Sequence, residues 1–150
     1  MPSRERVQAF VDAVVAKDFV QSIGDFYAED ATAQENLQPP RVGRDGLVAH
    51  ETKTLLSMGP VEPHPTTLLV DGDRVVIGWR FDTTGHDGVK RRLDELSLQT
   101  WRGDSIVSER FFYDPASILP VAWHGVLAGR GDREFALVRR FPPRAVSSVG

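Results

Sequence analysis

Acid–base chemistry needs carboxylates whose neighbours set their proton affinity, and this chain has several. Glu35 stands in a polar run between Gln34 and Asn36. Arg80 and Asp82 flank a single residue inside a run of strand-forming side chains, 74–82. Residues two apart on a strand share a face, about 7 Å apart at Cα, so a guanidinium can sit beside the carboxylate. Glu95 and Glu109 lie in two later runs of the same kind. Carboxylates crowded into an apolar site repel one another and lose solvation, and both effects raise pKa values. One acid then holds its proton while another, next to a cation, stays ionised, which is the usual logic of a proton donor and acceptor pair. Each group also has a plainer reading. Glu35 can be a solvated loop carboxylate, Arg80–Asp82 a structural ion pair, and Glu95 and Glu109 partners of Arg80, Arg92 or Arg110.

Other chemistries find less support. His50, His64, His86 and His124 lack metal-ligand spacing, so neither a metal nor another cofactor is expected. His50 lies on a helix face different from that of Val48 and Leu55, open to a substrate contact. There is no cysteine, hence no thiolate nucleophile and no disulfide framework. No Gly-x-Ser-x-Gly elbow occurs. Gly43-Arg44-Asp45 reads as a helix start, because the other glycines of a phosphate loop are missing. The length, 150 residues, suits one domain, and a net charge of −3 favours neither nucleic acid nor an anionic membrane. The first ten residues lack the apolar run of a signal peptide, and no stretch is long enough to span a bilayer, so a cytoplasmic protein is expected.

Three helices and a set of hairpins must position these residues. Ser3 can cap a helix in which Val7, Phe10, Val11, Val14 and Val15 recur at helical spacing. Asp18 is a plausible cap for a second, carrying Phe19, Val20, Ile23, Phe26 and Tyr27. The chain breaks at Glu29-Asp30, runs through a short polar strand and turns at Pro39-Pro40. Asp45 caps a third helix with Val48, Thr52, Leu55 and Leu56 on one face, stopped by Gly59-Pro60. The prolines argue against regular structure over 60–65. Strands follow over 66–70, 74–82, 90–101 and 105–113, joined by turns rich in Gly and Asp. Helices followed by antiparallel hairpins make an α+β domain. Residues 116–150 form a C-terminal extension, expected to pack on the domain or on a second subunit, with its last residues frayed.

The stretch from Phe26 to Gly46 carries a further signal: two aromatics, Ala, an acid and Asp, then a short strand, Pro-Pro, Gly-Arg-Asp and a helix. It resembles the SnoaL-like branch of the nuclear transport factor two superfamily, which includes polyketide cyclases, ketosteroid isomerases and limonene epoxide hydrolases. The resemblance covers about residues 4–115 and implies a domain over 1–115. It implies N-terminal helices packed in the cone of a curved, mostly antiparallel sheet, a cystatin-like α+β barrel with a conical pocket. Glu35 matches the position of the general base in ketosteroid isomerases. Arg80-x-Asp82 resembles the Arg and Asp that line the epoxide hydrolase pocket. Taking that face as inward turns Val76 and Gly78 in as well. The family alignment then turns in Leu93, Glu95, Ser97, Gln99 and Trp101 on the next strand. On the last it turns in Val107, Glu109, Phe111 and Tyr113. Leu96, Leu98, Ile106 and Phe112 would face outward, so the outer face needs a cover, either the extension or a partner in a homodimer.

The chain departs from its relatives too. Phe10 and about Ser97 stand where ketosteroid isomerases carry their oxyanion-hole Tyr and Asp. Phe111, Ala33 and Glu35 replace the Asp, Tyr and Asn that handle water in the epoxide hydrolases. The resulting expectation is a cofactor-independent acid–base enzyme of cyclase or isomerase type, acting on a small hydrophobic carbonyl or epoxide metabolite. Glu35 would be the base, Arg80 would steady negative charge, and Asp82 would orient Arg80 or protonate the leaving oxygen. Gln34, His50, Glu95, Gln99, Trp101, Glu109, Phe111 and Tyr113 would contact substrate. Two alternatives stand beside it: a non-catalytic small-molecule-binding or dimeric assembly module, and an epoxide hydrolase or ether cyclase-like reaction.

Overall fold

The computed structural model describes residues 1–118. Helix α1 spans Arg4–Val15, and Ser3 caps it by accepting a hydrogen bond from the Arg6 backbone N–H at 3.0 Å. Val7, Phe10, Val11 and Val14 form its buried stripe, while Val15 lies outside it. Lys17, at a positive φ of 69°, turns the chain into α2, Phe19–Phe26. Asp18 makes no side-chain cap there, contrary to expectation. Arg6 ties the two helices together. Its guanidinium lies 4.0 Å from the Phe26 ring centroid, and its Nη2 donates to the Asp25 carbonyl at 2.6 Å.

The helix stops at Phe26, and strand β1, Tyr27–Glu35, begins at the next residue. It is followed by β2 (Arg41–Val42), α3 (Arg44–Met58), β3 (Val61–Asp71), β4 (Arg74–Thr84), β5 (Lys90–Arg102), β6 (Ser105–Tyr113) and a short 3-10 turn at Pro115–Ile118. The six strands form one open sheet in the order β2-β1-β6-β5-β4-β3. Only the β1–β6 pairing is parallel. The helices pack against one face of this sheet, as an α+β fold with an antiparallel meander requires. Most of the expected 116–150 extension lies outside the described residues. No helix among the described residues is long and apolar enough to cross a membrane.

Four local expectations change. The 60–65 segment is regular: β3 starts at Val61 and pairs Pro63 with Phe81 and Pro65 with Trp79. As the sheet's edge strand it has a neighbour on one side alone, which is where a strand tolerates residues without an N–H. Gly43, with φ 94°, is the N-cap of α3, so Asp45 sits in the first turn and does not cap it. The buried residues of α3 are Leu47 and Thr54, whereas Thr52 and Leu56 are exposed. Gly59 ends α3 at φ 75°, where a Cβ would come within 2.4 Å of the Thr84 carbonyl oxygen.

The fourth change is the parity of β4. Val75, Ile77 and Trp79 are buried in the core with Phe81 packed against them, so Val76, Gly78, Arg80 and Asp82 belong to the opposite face. Alternation is strict on a strand, and four large apolar side chains cannot be left in water to bring one ion pair inside. On β5 and β6 the expected inward residues do face the helices from Leu93 to Gln99 and from Glu109 to Tyr113. A register shift between Thr100 and Trp101 then pairs Trp101 with Ile106. Ile106, expected outside, is fully buried in place of Val107. On the outer face, Leu96 pairs with Phe112, and both are exposed, at 51% and 39%.

Candidate functional site

Between the three helices and the inner face of the sheet lies a cavity of about 530 Å3. Its apolar wall is dominated by Phe10, Phe19, Ile23, Trp79, Phe81 and Phe111. The Trp79 and Phe81 rings stack with centroids 5.7 Å apart. Four glutamates line it, Glu35, Glu51, Glu95 and Glu109, against the bases Arg41, Lys53 and His50. Acids are rare in cores, so four of them in one largely apolar chamber mark a binding or reacting site rather than a scaffold.

Glu35 is placed by the turn that follows it. Asn36 adopts φ 48°, and the Gln38 N–H donates to the Glu35 carbonyl at 2.9 Å, closing a tight reversal. Asn36 is clamped to β6. Its N–H donates to the Phe111 carbonyl at 2.8 Å, and its Oδ1 accepts from the Tyr113 N–H at 3.1 Å. Arg110 Nε donates to the Asn36 carbonyl at 3.1 Å. The two-residue strand β2 then returns antiparallel, setting Arg41 opposite Ala33. Arg41 Nη2 reaches Glu35 Oε2 at 3.3 Å, and Glu35 itself is only 6% exposed. The buried carboxylate thus has a counter-ion at the edge of the cavity. Gln34 points the other way, as strand alternation demands, and its Nε2 donates to the Gln38 carbonyl at 3.0 Å outside the chamber.

Glu109 is the more deeply buried acid. Tyr27 Oη and Ser97 Oγ donate to its two oxygens, and Gln99 Nε2 donates to Oε1 at 2.9 Å. Trp101 Nε1 in turn donates to Gln99 Oε1 at 2.9 Å. Burial pushes the Glu109 carboxyl above its usual range, while the Ser97, Tyr27 and Gln99 donors pull in the opposite direction. An ionised carboxylate in such a place loses several kcal/mol of hydration, and hydrogen bonds to a charged group return about 1.5–3 kcal/mol each. Burial wins here by direction. It also pushes the Tyr27 hydroxyl well above its usual range, reinforced by the charge and hydrogen bond of Glu109 and then by the charges of Glu51 and Glu95. Tyr27 therefore remains a neutral phenol at any physiological pH.

The structure brings together Glu35, His50, Glu95, Glu109, Phe111 and Tyr113 around the cavity. Gln99 and Trp101 lie behind the wall, joined to the chamber through Glu109. Arg80 and Asp82, expected at the centre of the chemistry, stand on the opposite face of the sheet. Asp82 there accepts from Arg92 Nε at 3.1 Å and lies 3.4 Å from Arg80 Nε and 3.4 Å from His64 Nε2. The Arg92 hydrogen bond and charge, helped by Arg80 and His64, hold the Asp82 carboxyl below its usual range. This is a surface ion cluster, and the Arg and Lys side chains that line the cavity are instead Arg41 and Lys53. Four titratable cavity residues were not foreseen: Tyr27, Arg41, Glu51 and Lys53. Glu51 is four residues after Leu47 and three before Thr54, a helical spacing that would have put it on the inner face of α3. The apolar alternation of Val75, Ile77, Trp79 and Phe81 would likewise have fixed the parity of β4.

The sequence model of a family described as SnoaL-like domain matches residues 7–109. No curated protein matches the sequence. Among solved structures, a protein designated a SnoaL-like polyketide cyclase from Mesorhizobium loti is similar at 22% identity. That match covers 73% of this chain and 97% of the other, with a TM-score of 0.63. A protein of ketosteroid isomerase-like fold from Catenulispora acidiphila, in complex with trimethylamine, is 21% identical; the match covers 81% of this chain and 98% of that one, with a TM-score of 0.68. TerC, co-crystallised with polyporic acid, is 19% identical over 81% of this chain and 95% of its own, with a TM-score of 0.65. At such identities the likeness is one of fold.

Two predictions follow from the geometry. Because the folded-state pKa of Glu109 is raised above its ordinary value of 4.5, the stability associated with it is fully present below that pH. It is lost as pH rises through the folded-state value, at up to about 1.4 kcal/mol per pH unit. Urea denaturation across pH will show this decline in the wild type and its absence in Glu109→Gln. Arg80→Ala and Asp82→Asn alter only the outer face, so each should leave ligand affinity in the cavity within about twofold of wild type by calorimetry.

Proposed function

The chain belongs to the SnoaL-like family, and from that premise we propose that it is a cofactor-independent acid–base enzyme of cyclase or isomerase type. Its substrate is a small hydrophobic carbonyl or epoxide metabolite held in the 530 Å3 cavity. The carrying observation is a pair of glutamates in one wall with opposite surroundings. Glu35 has Arg41 as counter-ion, whereas burial pushes the Glu109 carboxyl up. The cation beside Glu35 suits a base, and the burial of Glu109 suits a proton donor. Glu35 pairs with Phe111 across the parallel ladder and Glu109 with Ala33. The two acids are thus one strand and two residues apart, roughly 8 Å at Cα, enough to flank a small molecule.

The chemistry runs as a proton relay across the substrate. Glu35 takes a proton from the carbon beside the carbonyl, and that C–H electron pair becomes the C=C bond of an enol. The carbonyl oxygen receives a proton from the Glu109–Tyr27 side. Glu35 then returns its proton to a different carbon, giving an isomer, and the enol O–H goes back to the donor. In a cyclisation, the enol carbon attacks a second carbonyl carbon of the same molecule. The C=O π pair of that carbonyl takes the proton held by Glu35 and becomes a hydroxyl, while the enol O–H proton returns to the donor. With an epoxide, a hydroxyl of the same molecule gives its proton to Glu35 and attacks the epoxide carbon, and the C–O pair that leaves with the oxygen takes the donor's proton. The charges of Glu51 and Glu95 reach Tyr27 and would repel a free enolate in the same way, so the oxygen must be protonated rather than left charged. Aromatic walls that hold a flexible substrate in its reactive conformation supply much of the remaining barrier reduction.

Relatives crystallised with trimethylamine and with polyporic acid support small-molecule binding. A ligand-binding module without turnover is the second reading. With a substrate identified from a panel of carbonyls and epoxides, Glu35→Gln should lower kcat by about 10²–10⁴-fold while leaving binding nearly intact. Wild-type turnover in that variant would remove Glu35 from the base role, and binding without turnover by the wild type would favour the module. We also propose a homodimer in which the Leu96–Phe112 patch is covered by its counterpart. Light scattering should give twice the chain mass for the wild type, and a monomer for Leu96→Glu.

A further inference from the structure

The hydrogen-bond chain behind Glu109 has a fixed direction. An indole N–H can only donate. Since Trp101 Nε1 donates to Gln99 Oε1 at 2.9 Å, the Gln99 amide must turn its oxygen to the indole and its nitrogen to Glu109. That nitrogen is not an acceptor, so Glu109 Oε1 receives a hydrogen from Gln99 whatever its own protonation state. Ser97 Oγ donates to the same oxygen. Gln99 and Ser97 are both fully buried, so water does not stand in for either. The Ser97 hydroxyl can turn to accept from a proton on Oε1, as Tyr27 can from one on Oε2, but the Gln99 N–H cannot, so a proton on Oε1 competes with that donor. The other oxygen, Oε2, meets the Tyr27 hydroxyl, and Tyr27 lines the cavity.

We propose that Trp101 and Gln99 are positioning residues that confine the proton of neutral Glu109 to Oε2, so that Glu109 delivers it to the substrate through the Tyr27 hydroxyl. When Glu109 is ionised, Tyr27 donates to it and offers the cavity only a lone pair. When Glu109 is neutral, Oε2–H donates to Tyr27 Oη, and the phenolic hydrogen turns toward the cavity. In the transfer, the phenolic proton passes to the substrate oxygen while the Oε2 proton moves onto Oη. One proton leaves Glu109, one reaches the substrate, and Tyr27 is neutral before and after. Burial and the surrounding acids push the Tyr27 hydroxyl far up, which disfavours a free tyrosinate and couples the two movements. Other charged groups also face this pair. Glu35 comes from β1, His50, Glu51 and Lys53 from α3, Glu95 and Tyr113 from β5 and β6, and Arg41 from β2; α1 and α2 present no charge to the cavity. The direction of the Gln99 amide is set by Trp101.

The proposal rests on Glu109 as the proton donor of the preceding section for its catalytic use, but its test needs no substrate. Carbon-13 shifts of the Glu109 carboxyl and of Tyr27 Cζ are followed across pH in the wild type, Gln99→Met, Trp101→Phe and the double variant. In the wild type the Tyr27 shift should move with the Glu109 midpoint. Trp101→Phe releases the amide to rotate and offer its oxygen, so neutral Glu109 gains an acceptor and its midpoint rises by about one pH unit, tenfold in proton affinity. In the Gln99→Met background the same change should move the midpoint no further. An unchanged midpoint in Trp101→Phe, or an equal shift in both backgrounds, overturns the proposal. Trp101 packs edge-on against Phe10 at 6.4 Å, so Gln99→Glu provides a second route if Trp101→Phe does not fold. An acceptor in place of the donor should raise the Glu109 midpoint beyond that of Gln99→Met, and the reverse order overturns the proposal. Absence of turnover would defeat the acid–base reading and leave these titrations unaffected.

Discussion

A carboxyl group shut away from water must find all its hydrogen bonds inside the protein, and Glu109 finds them on two other strands. Tyr27 comes from β1, Ser97 and Gln99 from β5, and the acid itself from β6. These contacts exist only in one register of the sheet. A one-residue slip of any of the three strands would turn its contribution to the opposite face and leave a buried charge without partners. The polar cluster therefore specifies the alignment of the central strands, and the apolar residues around it supply most of the driving force. The parallel β1–β6 pairing, the one exception in an antiparallel sheet, is what brings Tyr27 and Glu35 to the same wall as Glu109.

The second constraint is the reversal after β1. Asn36 bonds to β6 through its N–H, its carbonyl and its side chain, so the end of β1 is held at three points. Glu35 is the last residue before that clamp, and Arg41 is the first to return past it. The base role proposed for Glu35 calls for such fixed backbone on both sides, because small displacements from a reacting carbon are costly in rate. The cavity thus combines two differently built acids. One is tethered to a turn beside a cation, and the other is embedded in the sheet among neutral donors.

Much of this was legible in the residues. Helical spacing located α1 and α2, and glycine-rich turns located β4, β5 and β6 within one or two residues. The inward faces of β5 and β6 were read correctly as far as the bulge at Thr100–Trp101, where an irregularity without a sequence signature moved Ile106 inside. The face of β4 was misread because the charged pair Arg80–Asp82 was weighted above the alternation of Val75, Ile77, Trp79 and Phe81. Burial free energy favours the apolar set by a wide margin, and the pattern was plain. Tyr27 and Arg41 are a different case. Tyr27, read as the end of the second helix's apolar pattern, instead opens β1, and Arg41 lies on a two-residue strand, too short to show a period. Their positions depend on the long-range pairing of β1 with β6 and β2, which local propensity does not encode.

The two ends of the sheet explain how such an open structure avoids uncontrolled growth. An unfinished edge is a template onto which another extended chain can add. At one end β3 carries Pro63 and Pro65, which withhold two N–H donors from any incoming strand. At the other end β2 is only two residues long, too short to seed a ladder. Both rims thus offer little to an incoming strand, and the exposed Leu96–Phe112 pair lies on the outer surface of β5 and β6. In the homodimer proposed above, such a contact between two copies closes on itself and stops.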